Sequence, residues 1–183
     1  LKSVGMRTHA TRKEFFSKNK DSLPTVWRNL FFPTEILNAF DVRILTLETY
    51  ADIFARNSRR TKKALDMAAY KGYAAETCSF LRVLEGSKLP RPDFAVSTSQ
   101  PCQQGERIFA DLARQYGFSD RIYSMNTPIN MADSNSVETI AEGLEKAVSL
   151  MEKSMGLKMD MGRLAEACDL SNQAAVYTKK CND

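Results

Sequence analysis

Four thiols, one imidazole and a set of carboxylates are the groups in this chain whose types could do chemistry. The cysteines are Cys78, Cys102, Cys168 and Cys181, and none forms a C-x-x-C pair. A thioredoxin-like redox motif and a zinc ribbon are therefore not expected. His9 is the only histidine, which excludes a multi-histidine metal site and makes a Ser-His-Asp triad a poor expectation. Cys78 comes just before a short helical pattern with Phe80, Leu81 and Leu84 that is closed by Gly86. Cys102 follows the apolar run Asp93–Ser99 across Gln100-Pro101 and enters a helix. Amide groups at a helix start stabilise an anionic sulfur, the form that binds metal or attacks electrophiles. The spacing predicts that these two cysteines, 24 residues apart, converge on one edge of a sheet. It equally allows both to be small buried hydrophobes. Glu48, placed directly after a predicted strand, falls at the carboxyl-end rim where sites form in open parallel sheets and is a candidate site carboxylate. The alternative is a first-turn acid facing a helix dipole. Cys168 shares a helix face with Leu164 and reads as core, while Cys181, two residues from the last residue, reads as exposed.

The elements that must position these groups follow from periodicity. Thr25–Phe32 is rich in β-branched and aromatic residues and stops at Pro33, so it reads as a strand. Pro33-Thr34-Glu35 opens a short helix that turns Ile36, Leu37 and Phe40 inward. Asp41–Leu47 is a second strand, and helical patterns follow from about Thr49 and from Ser58 to Gly72. Asp93–Ser99 is a third strand, and the next helix carries Ile108, Phe109, Leu112 and Tyr116. Arg121–Met125 is a fourth strand. This alternation predicts an α/β fold with a parallel four-stranded sheet flanked by helices. Val137, Ile140, Ala141, Leu144, Val148, Met151 and Met155 form the cleanest amphipathic stripe. A last helix starts near Asp160. The expected organisation is an N-terminal arm over 1–22, an α/β domain over 23–133 and a helical extension over 134–183.

Composition narrows the function. With 183 residues, 43% apolar and 26% charged, the chain can build a real core. A net charge of +4 is too weak to argue for nucleic acid. No apolar stretch is long enough to cross a membrane. Neither G-x-G-x-x-G nor G-x-x-x-x-G-K-[ST] is present, so a dinucleotide or P-loop site lacks its phosphate cradle. Arg59, Arg60, Lys62 and Lys63 could meet phosphates but read more simply as a solvated helix face. Nothing marks the chain as secreted, and free cysteines suit a reducing, cytoplasmic compartment.

Several segments together carry a resemblance. Pro33–Phe40 looks like the P-x-E-hydrophobic-x-x-A segment of the 2-hydroxyacyl-CoA dehydratase and benzoyl-CoA reductase family. Glu76–Phe80 resembles the first cysteine motif of that family, and Pro92–Cys102 its strand leading to the second. Arg163-Leu164 and Ser171-Asn172 fit its closing helix. The similarity runs from about Leu23 to Lys180, and the order and spacing of the segments are more specific than any one of them.

The resemblance implies Rossmann-like domains and an iron–sulfur cluster, most often [4Fe-4S], held by three cysteines. By position, Cys78 and Cys102 would be the first two ligands, and the third is expected outside this chain. Thiolates suit iron as soft anionic donors. Also implied are a homologous second subunit, an ATP-dependent activator protein that supplies a low-potential electron, and an acyl-CoA substrate. The electron would make a ketyl radical of the thioester, allowing loss of the 2-hydroxyl group or ring reduction. Cys168 and Cys181 do not match the expected third ligand. Phe31-Phe32 stands where many members carry small or polar residues, which bears on substrate preference. Two other readings compete: a related double-cubane-type reductase without acyl-CoA, and a non-catalytic α/β interaction domain.

Overall fold

The structure is a computed structural model that describes residues 23–130 and 135–182. The arm expected over 1–22 lies outside the described residues. The strand-forming residues at the start of the α/β unit make β1 (Thr25–Arg28), with Val26 and Trp27 fully buried. The strand is shorter than its sequence suggests because Asn29 turns the chain. The Phe32 amide donates back to Asn29 Oδ1 at 3.1 Å and to the Asn29 carbonyl at 3.4 Å. That turn delivers Pro33 to the start of α1 (Thr34–Asn38), which buries Ile36 and Leu37.

Then follow β2 (Arg43–Thr46), α2 (Leu47–Ala55), α3 (Ser58–Tyr70), α4 (Ser79–Glu85), β3 (Phe94–Thr98), α5 (Gln103–Tyr116) and β4 (Ile122–Met125). All strand pairs are parallel, in the order β2-β1-β3-β4. Every residue of β3 is buried, as expected of a central strand covered on both faces. The expected α/β sheet is therefore present.

Alternation along the strands builds two cores. Trp27, Leu45 and Ala95 face α2–α5, meeting Leu84, Phe109, Leu112 and Phe118. Val26, Phe94 and Val96 face the other way, toward Phe32, Leu37 and Phe40 and the helix α6 (Ser136–Met155). Trp27 anchors the first core: its rings meet Tyr116 and Phe118 edge-on at 5.4 and 5.2 Å, and its indole N–H donates to the Pro90 carbonyl at 3.1 Å. Gly117, in the left-handed conformation that glycine adopts without strain, ends α5.

The C-terminal helices form as expected but pack differently. In α6 Ala147 and Met151 are buried against the sheet, whereas Val137, near the helix start, is exposed. The helix crosses β4 at Gly143, where the absent side chain lets Met125 come close. The last helix, α7 (Met161–Asn182), buries no residue. Its first part is held to α1 and the loop after it, with Asp160 N–H donating to the Ala39 carbonyl at 2.9 Å and Arg163 paired with Asp41. Leu164 and Ala167 face that contact, so Cys168, one position on, turns outward and is exposed. Its reading as core is corrected accordingly. Cys181 is exposed as expected. No helix among the described residues is long and apolar enough to cross a membrane.

Candidate functional site

The chain leaves β1 toward β2 on one side and reaches β3 on the other, so the strand order reverses beside β1. In open parallel sheets ligands bind beyond the carboxyl ends of the strands at such a reversal. Here that rim is built from polar side chains. Asn29 is buried and its amide donates to Thr98 Oγ1 at 3.1 Å and to the Thr98 carbonyl at 3.3 Å. Thr98 Oγ1 in turn donates to the Gln100 carbonyl at 2.8 Å. These bonds set the path of Ser99-Gln100-Pro101, which includes a cis Gln100-Pro101 bond, into Cys102.

Arg28 ends β1 and binds across the same rim. Its Nε donates to Thr46 Oγ1 at 2.9 Å, and its Nη1 to the carbonyls of Phe32 at 2.6 Å and Leu30 at 3.2 Å. Burial pushes its pKa down, opposed by the charges of Glu48 and Glu35. Glu48 lies in the first turn of α2, directly beyond β2. Burial pushes its carboxyl pKa up, against hydrogen bonds from the Glu48 and Leu30 amides and the positive charge of Arg28. Its Oε2 is buried without a hydrogen-bond partner. Glu35 goes the other way: a hydrogen bond from Ser171 lowers its pKa first, its own backbone amide next, and Arg28 further. The rim thus holds one carboxyl biased toward the proton and one biased against it.

Cys78 and Cys102 occupy the same structural position on neighbouring helices. Cys78 is the residue preceding α4 and Cys102 the residue preceding α5. Cys78 is exposed and Cys102 half-buried, packed against the first core. Cys102 Sγ lies over Gly105, 3.7 Å from where a β-carbon would stand there. The two helix starts are joined directly: the Cys78 backbone amide donates to Gln104 Oε1 at 3.1 Å. The loop before Cys78 is also held by polar bonds. Lys71 Nζ donates to the Glu85 carbonyl at 2.6 Å and to Gln115 Oε1 at 2.7 Å. Tyr73 donates its phenol proton to Asp111 at 2.7 Å, and burial followed by that bond pushes its pKa up. Arg82 donates to the Ala75 carbonyl at 2.7 Å. Between this loop and α5 lies a cleft of about 760 Å³ that includes Thr77, Gln104 and Arg107.

Glu48 and Cys102 therefore stand at the rim on either side of β1, and Cys78 is tied to the start of α5. The thiols are of the right kind for iron, being soft donors that become anionic. Among the described residues, no three His, Cys, Asp or Glu side chains gather as a metal-holding group. Sequence reasoning missed Arg28, Asn29, Thr98 and Gln104. The only available signal was their position just past strand ends or just inside a helix start.

The sequence profile of the 2-hydroxyglutaryl-CoA dehydratase D-component family matches residues 29–183. The chain belongs to that family. The (R)-2-hydroxyisocaproyl-CoA dehydratase alpha subunit of Clostridioides difficile is 23% identical to it over 168 residues. The alignment covers 85% of this D-component-family chain and 40% of the relative, so the chain spans about two-fifths of that relative's length. The matched region begins just past β1 and includes Cys78, Cys102 and α7.

Proposed function

We propose that this chain is the N-terminal, iron–sulfur-binding part of a 2-hydroxyacyl-CoA dehydratase-like subunit, a lyase component. The observation that carries the reading is the pair of thiols on adjoining helix starts at the sheet's carboxyl side, in a chain of this family. Cys78 and Cys102 would hold two corners of a [4Fe-4S] cluster, and a third ligand would come from outside this chain. When bound, such a cluster supplies single electrons at low potential. The electron source in this reading is an ATP-dependent activator, and the assembly includes a homologous second subunit. The alpha-subunit relative supports a multi-subunit enzyme. A reducing, cytoplasmic setting suits four free thiols.

The residues of this chain contribute binding and proton handling. Glu48, held at the rim with a raised pKa, would hold or move a proton at the substrate's hydroxyl group. Arg28 would fix the Leu30–Phe32 turn beside it. Leu30 and Phe31 are exposed at that turn and offer apolar surface to an acyl chain. The helical extension, whose Leu170, Val176 and Tyr177 are exposed, would lead into and pack on a further domain.

Calorimetry of the complete subunit with a 2-hydroxyacyl-CoA is expected to show binding that the free hydroxy acid lacks. Absence of affinity for both the thioester and CoA would instead favour a reductase acting without acyl-CoA.

A further inference from the structure

We propose that Gln104 is the positioning residue that sets Cys78 against Cys102, and that it does so through the Cys78 backbone amide. The inference rests on the reading that the two thiols act as a pair. The two cysteines arrive from different directions. Cys102 is placed by β3, through the Asn29–Thr98 bonds, and it packs against the core. Cys78 ends a loop outside the sheet and is exposed, so packing does little to place it. What places that loop is the outward face of α5 together with α4, where Arg82 donates to the Ala74 and Ala75 carbonyls and the Leu81 and Arg82 amides donate to the Cys78 carbonyl.

Lys71 is bound to Glu85 and Gln115 at the far end of the loop. Tyr73 is bound to Asp111 in the middle. Gln104 takes the amide at the sulfur end. Gln104, Asp111 and Gln115 recur along α5 at spacings of seven and four residues, close to two turns and one turn, so the loop runs along the helix as a strap. Gln104 is also two residues after Cys102, so one side chain links both cysteines' backbones. Losing it leaves the Cys78 amide without this acceptor, so the residue keeps its carbonyl bonds to α4 but loses its tie to the start of α5. The helix itself has no need of Gln104, which is exposed.

The test is a fluorogenic crosslinker, dibromobimane, applied to the full chain in a Cys168→Ser, Cys181→Ser background. Each thiolate displaces one bromide and forms one C–S bond, and the strong fluorescence follows the second displacement. The first alkylation reports reactivity of a single thiol, and the second reports how often the two thiols meet. Gln104→Ala is expected to slow the second step about tenfold while leaving the first step and the thermal midpoint unchanged. Gln104→Glu keeps an acceptor for the same amide and is expected to restore the second step. An unchanged second step in Gln104→Ala, with the parent chain crosslinking efficiently, would overturn the role of Gln104 alone. A parent chain that reacts twice without crosslinking would overturn the pairing of the thiols, and the tether with it.

Discussion

Glu48→Gln is expected to lower the dehydration proposed for the assembled enzyme by a factor on the order of 10²–10⁴, the usual contribution of a positioned acid or base. The same change is expected to make the chain more stable at neutral pH. Burial is the first cause of the raised Glu48 pKa, and it outweighs two backbone hydrogen bonds and the nearby Arg28 charge. A carboxyl whose pKa is higher folded than unfolded binds its proton more tightly in the native state. Stability therefore falls as pH rises from the ordinary carboxylate range through the raised value. Glutamine removes the titration, so the denaturation midpoint of Glu48→Gln should vary less with pH over that window. Activity loss combined with a stability gain would mark Glu48 as a functional group retained against the fold's interest. Unchanged turnover would remove it from the proposed chemistry.

Gly86→Ala is the largest expected structural effect. Gly86 caps α4 with ordinary backbone angles, so conformational strain is not the reason for glycine. The reason is contact with α3: an added methyl would overlap the Ala64 carbonyl oxygen and Cα and come within 2.6 Å of its carbonyl carbon. These are backbone atoms of a helix, and they cannot move aside as a flexible side chain would. The two helices must separate, opening the first core beside Leu84 and Ala64. A loss of about 3 kcal/mol or more is expected in chemical denaturation. Gly143→Ala provides the contrast, because there the methyl meets the Met125 side chain at 2.7 and 2.9 Å, which can rotate away. Equal costs at the two sites would contradict the close approach of α3 and α4. Because α4 follows Cys78 directly, Gly86→Ala should also disturb the thiol pair.

The parallel sheet could be read in advance because β-branched and aromatic enrichment and strand–helix succession are local signals. Val26 and Trp27 belong to a run that announces a strand, and Pro33-Thr34-Glu35 announces a helix start. The end of β1 was not legible, since Leu30-Phe31-Phe32 has strand-forming composition but is turned by a buried Asn29 side chain. Burial on α7 was not legible either. An apolar face shows which residues share a side, but only the neighbouring α1 decides which side is used, and it selects Leu164 and Ala167 over Cys168. At the site, Cys78, Cys102 and Glu48 stood out by residue type and position. Gln104 and Arg28 did not, because a glutamine in a helix and an arginine at a strand end are commonplace until their partners are known.

The most direct test of the paired-thiol account is iron content after anaerobic reconstitution with iron and sulfide, measured on the complete subunit. The parent protein should take up iron and turn brown, with sulfur-to-iron charge-transfer absorption. Cys78→Ala and Cys102→Ala should each abolish that uptake, whereas Cys168→Ser and Cys181→Ser should leave it intact. Full iron content in both alanine variants would contradict the account.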